Sequence, residues 1–143
     1  MKKIKLLLVD DEVSFVETVT KRLKKREFSV DTAHSGPDAL QFLENNNKIE
    51  VVVLDVKMPG MDGIDTLREI KARHPLMEVV MLTGHATVES AIEGMRFGAF
   101  DYLMKPCDID QLVSKVTQAA EKKQQHEEKI IEARIKEITA KQV

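Results

Sequence analysis

Five side chains of this sequence stand where apolar runs break off, and together they could handle a phosphate. Asp10 and Asp11 follow Leu6-Leu7-Leu8-Val9, and Asp55 follows Val51-Val52-Val53-Leu54. Thr83 follows Val79-Val80-Met81-Leu82, and Lys105 closes a run that includes Tyr102 and Leu103. Three carboxylates brought together repel: at about 5 Å and an effective dielectric of about 20, each pair costs on the order of 3 kcal/mol. Such a cluster either raises one pKa or binds a cation. A hard, oxygen-liganded divalent ion that keeps waters and also holds a phosphate, Mg2+, is the natural candidate. Lys105 offers a mobile point charge for a phosphoryl oxygen, and Thr83 a hydroxyl that donates to one. These are parts for phosphoryl transfer onto a carboxylate. Taken singly, each has a plainer reading: Asp10, Asp11 and Thr83 as helix caps, Lys105-Pro106 as a turn. Those readings are independent of one another. The joint reading needs every residue to fall at the end of a successive strand, and each does.

The elements that must position them follow from periodicity. Ile4 to Val9 reads as a buried strand, and Phe15/Val16, Val19 and Leu23 mark the helix after it. Phe28-Ser29-Val30-Asp31 alternates apolar and polar, as a strand near a sheet edge does. A short helix carries Leu40 and Leu43. The Val51–Leu54 run suits a strand covered on both faces, and Pro59, Gly60 and Gly63 force a loop after Asp55. A helix with Ile64, Leu67 and Ile70 stops at Pro75, and Val79 to Leu82 forms the next strand. Val88, Ala91, Ile92 and Met95 fall at i, i+3, i+4 and i+7 of another helix, closed by Gly98. Phe100 to Leu103 is the last strand. Ile109, Leu112, Val113, Val116 and Ala120 define the last helix. Strands alternating with helices imply an α/β fold with a doubly wound, five-stranded parallel sheet, and sites in such sheets lie outside the carboxyl ends of the strands.

Composition narrows the function. The chain has 143 residues, 43% hydrophobic and 32% charged, with a net charge of -2. That suits one domain and argues against a surface for nucleic acid or for an acidic membrane. Cys107 is the only cysteine, so no disulfide framework or cysteine zinc site exists and a reducing compartment fits. Lys5 and Asp10-Asp11-Glu12 cut short the apolar run after Lys2-Lys3, which excludes a signal or spanning segment there. The expected location is cytoplasmic. His34, His74, His85 and His126 show no metal-binding spacing.

Val9-Asp10-Asp11-Glu12, Asp55-x-x-Met58-Pro59-x-x-Asp62-Gly63, Leu82-Thr83-Gly84 and Tyr102-x-x-Lys105-Pro106 resemble the receiver domain of two-component response regulators. The resemblance covers roughly residues 4–120, and it implies the flavodoxin-like strand order 2-1-3-4-5 of the CheY-like fold. It further implies that Asp55 accepts a phosphoryl group from a histidine of a sensor kinase or phosphotransfer protein. Asp11, Asp55 and the backbone carbonyl of Lys57 would ligate Mg2+, with Asp10 acting through water. Lys105 would pair with phosphoryl oxygens, Thr83 would move to bond one, and Tyr102 would change rotamer with it. Pro106 would follow a cis peptide bond. Lys57 and His85 would flank the path of attacking water and tune phosphate lifetime. The chain itself would be no enzyme beyond assisting its own phosphotransfer and dephosphorylation. The surface from the helix at 87–98, the strand at 100–103 and the helix at 108–120 would carry the signal.

Ala91-Ile92-Glu93-Gly94-Met95 and Gly98-Ala99-Phe100-Asp101-Tyr102 are similar to receivers of NtrC-type transcriptional activators. No P-loop or helix-turn-helix occurs in this sequence, so direct nucleic-acid binding does not carry over. A stand-alone receiver and the receiver part of such an activator both remain open. An aspartyl-phosphate hydrolase would need an aspartate where Lys57 stands, and a phosphorylation-independent binding module would usually have lost an acidic or lysine position. Residues 1–122 read as the receiver. Residues 123–143 read as a helical tail or the start of a linker: Ile131, Ile135 and Ile138 fit a short a/d seam, and Glu132–Lys136 and Glu137–Lys141 are favourable i, i+4 pairs. That tail, or the signalling surface, would serve a homodimer or a partner.

Overall fold

Alternating side chains on the buried strands sort the core into two halves. In a computed structural model, residues 2–85 and 87–141 are described. The strands are β1 (Lys5–Val9), β2 (Ser29–Ala33), β3 (Val51–Leu54), β4 (Glu78–Thr83) and β5 (Asp101–Met104). The helices are α1 (Val13–Lys25), α2 (Gly36–Asn45), α3 (Gly63–Arg73), α4 (Val88–Arg96) and α5 (Ile109–Lys141). All strand pairs are parallel, in the order β2-β1-β3-β4-β5, the flavodoxin-like arrangement expected.

Leu7, Val9, Val52, Leu54, Val79 and Met81 face one way, onto Leu40 and Leu43 of α2 and Leu67 and Ile70 of α3. Leu6, Leu8, Val51, Val53, Val80 and Leu82 face the other way, onto Val16 and Leu23 of α1 and Leu112 and Val116 of α5. Burial on both faces is why β1, β3 and β4 read as unbroken apolar runs. β2, with Asp31 and Thr32 exposed, lies at the sheet edge.

Three boundaries differ from expectation because pairing sets them. β2 runs on to Ala33, opposite Val9. β4 begins one residue early, at a buried Glu78, and includes Thr83. β5 is displaced to 101–104, where Met104 lies opposite Thr83. The expected helical extension is continuous with the last helix: α5 runs unbroken for 33 residues, about 50 Å at 1.5 Å per residue. Its last buried residue is Ala120. Beyond it Ile130, Ile131, Ile135 and Ile138 are exposed. α4 is also thinly covered, with Gly94 its only buried residue.

Candidate functional site

Residues distant in sequence converge at the carboxyl ends of the strands. Asp10 follows β1, Asp55 follows β3, Thr83 ends β4 and Lys105 follows β5. One carboxylate oxygen from each of Asp10, Asp11 and Asp55 lies within 4.8 Å of the other two. Asp10 and Asp55 are buried, and Asp11 lies nearer solvent.

Every polar group of Asp10 is held. Its amide donates to the Ala33 carbonyl at 3.1 Å. Its carbonyl lies 3.0 Å from His34 Nδ1. Oδ1 accepts from the Glu12 amide at 2.9 Å, and Oδ2 accepts from Lys105 Nζ at 2.6 Å. The lysine is constrained in turn. Its amide donates to the Thr83 carbonyl at 2.9 Å, extending the β4–β5 pairing to the root of the side chain. Its ammonium lies 3.7 Å from a Glu12 carboxylate oxygen and 3.9 Å from the centre of the Phe15 ring, a cation–π contact. The Lys105–Pro106 peptide bond is cis.

Asp55 is fixed through its backbone. Its amide donates to Val9 at 3.0 Å, and its Oδ1 accepts from the Val56 amide at 2.8 Å. The loop after it folds back on the same backbone. Gly60, at φ +77, makes the turn. Asp62 caps α3 by accepting from the Asp65 amide at 2.9 Å. The Gly63 amide donates to Val56 at 2.6 Å. A Cβ at Gly63 would stand 1.9 Å from the Asp55 carbonyl oxygen, so only glycine permits this approach.

Burial pushes the Asp55 carboxyl above its ordinary value. The Thr83 hydroxyl opposes that rise, Asp10 adds to it, and Lys105 and the Val56 amide also oppose it. The site is therefore short of positive charge. Its donors are hard oxygens that suit Mg2+, and Asp10, Asp11 and Asp55 are the residues that could hold it.

Thr83 Oγ1 accepts from the His85 amide at 3.0 Å, while the side chains of His85 and Lys57 face solvent. Tyr102 reaches towards α4: its hydroxyl lies 2.7 Å from Ser90 Oγ, and a Cβ at Gly94 would stand 3.4 Å from its ring. Ser90 forms a reciprocal capping box with Thr87, which ties Tyr102 to the first turn of α4. The Thr87-x-x-Ser90 spacing carries a capping signal that sequence reasoning could have used. The contacts of Glu12 and Phe15 with Lys105, and of His34 with Asp10, carry none, because they arise only when segments distant in sequence meet.

Among the described residues no helix is long and apolar enough to cross a membrane. Residues 6–117 match the family described as the response regulator receiver domain. The transcriptional regulatory protein ZraR of Salmonella typhimurium is 40% identical over 117 residues, 82% of this chain and 26% of ZraR. The regulator NtrC of Klebsiella pneumoniae is 38% identical over 112 residues, 78% of this chain and 24% of NtrC. This chain thus spans about a quarter of the length of these relatives. A receiver domain structure from Clostridium thermocellum superposes with a TM-score of 0.80 at 39% identity, covering 84% of this chain and 96% of that one. NtrX of Brucella abortus superposes at 0.81 with 32% identity, covering 89% of this chain and 29% of NtrX. The fold, the order of the motifs and these matches agree: the chain belongs to the receiver domains of two-component response regulators, with relatives among the NtrC-type activators.

Proposed function

We propose that Asp55 is a phospho-acceptor that takes its phosphoryl group from a sensor histidine kinase or phosphotransfer protein. The single observation that carries this reading is the convergence of Asp10, Asp11 and Lys105 on the buried Asp55. An Asp55 oxygen attacks phosphorus, the P–O bond forms as the P–N bond to the donor histidine breaks, and the electron pair returns to the imidazole. Asp11, Asp55 and the Lys57 carbonyl hold Mg2+, with Asp10 acting through water. When bound, the ion neutralises charge on the phosphoryl oxygens. Lys105 binds a phosphoryl oxygen, and the Thr83 hydroxyl donates to another. As Thr83 moves, Tyr102 changes its hold on Ser90 and α4, which makes that pair the switch.

The α4-β5-α5 face reads the switch out. Val88, Ile92 and Met95 of α4 and Met104 of β5 are exposed there, as a partner surface requires. Residues 1–122 form the receiver, and the helix beyond it, described to Lys141, serves as a helical tail or the start of a linker and offers a homodimer contact through Ile131, Ile135 and Ile138. The chain works in the cytoplasm, and this receiver itself makes no direct contact with nucleic acid or membrane.

Acetyl phosphate with Mg2+, read by intact mass, tests this. Wild type gains one phosphate and Asp55→Asn gains none. No adduct on wild type, or an adduct that survives Asp55→Asn, overturns the reading. The same assay measures adduct decay: Lys57→Ala changes its rate, and an unchanged rate removes Lys57 from the role of tuning phosphate lifetime.

A further inference from the structure

We infer that His34 is a positioning residue for the acidic pair, an inference that rests on the Mg2+ site proposed above. The imidazole Nδ1 lies 3.0 Å from the Asp10 carbonyl oxygen. A carbonyl only accepts, so Nδ1 carries the hydrogen and Nε2 is left bare in the neutral ring. That carbonyl belongs to the peptide joining Asp10 to Asp11. A donor on it fixes the plane from which the Asp11 side chain projects. Asp11 needs this help. The Asp10 side chain is already held by Glu12 and Lys105, whereas no hydrogen bond to the Asp11 carboxylate is found among the described residues. The Ala33 carbonyl accepts from the Asp10 amide at 3.1 Å, so the end of β2 grips the main chain of Asp10 from both sides.

The consequence is division of labour at the edge strand. β2 contributes no ligand to the site, yet through Ala33 and His34 it sets the geometry of the ligand pair after β1. Groups that orient metal ligands typically change metal affinity by on the order of 10- to 100-fold when removed. His34 is exposed, which puts its effect at the lower end.

The test is Mg2+ affinity measured by calorimetry on wild type, His34→Leu and His34→Asn, with melting temperature in the absence of metal as a control for folding. His34→Leu fills space without a donor and weakens Mg2+ binding by on the order of tenfold. His34→Asn places an amide N–H where Nδ1 stood and restores most of the affinity. A merely structural role would lower the melting temperature and give no such rescue. Independently of any variant, long-range 1H–15N spectra of the wild type at alkaline pH report Nδ1 as the protonated ring nitrogen. Wild-type affinity in His34→Leu, or a hydrogen on Nε2 in the neutral ring, overturns the inference. Failure of the wild type to bind Mg2+ at all overturns instead the metal site on which it rests.

Discussion

The two ends of β4 each bury a carboxylate beside lysine, and they differ in charge balance. At the amino end Glu78 is 2% exposed, with Lys71 at 3.8 Å and Lys122 at 3.5 Å. One acid faces two bases. Lys71 also donates to the carbonyls of Pro75 and Met77 at 3.0 and 2.9 Å, so the cluster is closed and joins α3, β4 and α5. At the carboxyl end, the Asp10, Asp11 and Asp55 carboxylates gather near one ammonium, that of Lys105, which pairs with Asp10 at 2.6 Å and also lies 3.7 Å from Glu12. Even with that ammonium the acids outnumber the bases there, an excess of negative charge that a divalent cation would offset. Burial of ionisable groups is common to both ends. What separates a structural cluster from a candidate reaction site is whether the charges present are enough to satisfy one another.

Removing an acid should therefore act in opposite senses at the two ends. The largest effect is expected at the closed one. Glu78→Ala leaves Lys71, whose pKa burial already lowers, without its counter-charge. Breaking a buried pair in this way costs about 3 kcal/mol, measured as a lower midpoint of urea unfolding. A loss below about 0.5 kcal/mol, the usual size of a surface substitution, would show that the Glu78 cluster does not hold the fold. The next effect belongs to the open end. Mg2+ at 100 times its dissociation constant should stabilise wild type by about 2.7 kcal/mol and Asp11→Asn far less. Equal shifts in the two proteins would place the ion elsewhere.

The contrast between the ends was only half visible in the sequence. β3 was legible to the residue, because four apolar side chains between polar neighbours leave no other solution. Asp10, Asp55, Thr83 and Lys105 were legible because each ends such a run. Glu78 was not: an acid before Val79 reads as a strand flank, and its burial depends on Lys71 and Lys122 arriving from two helices. The continuity of α5 was legible in part, from the i, i+4 pairs of its tail. Residues 121–129 have no apolar stripe to mark a face, yet glutamate, lysine and glutamine are good helix formers and extend a helix already nucleated on the core. His34, Phe15 and Glu12 take their meaning from Lys105 and Asp10, and proximity across loops leaves no trace in spacing.

The smallest effect carries the sharpest sign. Burial pushes the Asp55 carboxyl above its ordinary value, and Asp10 adds to the rise, so the folded protein holds that proton more tightly than the unfolded chain does. Below the ordinary value of 3.8 both states are protonated and the full stability is present. As pH rises through the raised folded value, the unfolded chain releases its proton freely while the folded one must carry a buried charge, and stability is lost. Asp55→Asn never carries that charge. Without Mg2+ it should be more stable than wild type at neutral pH, because the cost of burying the charge and its repulsion by Asp10 are both removed. The advantage should vanish in acid and reverse when Mg2+ is added, since only wild type gains the ion's binding energy. Thermal unfolding across pH, with and without Mg2+, checks all three signs. If Asp55→Asn is less stable than wild type at neutral pH without metal, the Asp55 carboxylate is already balanced, and the distinction between the two ends of β4 fails.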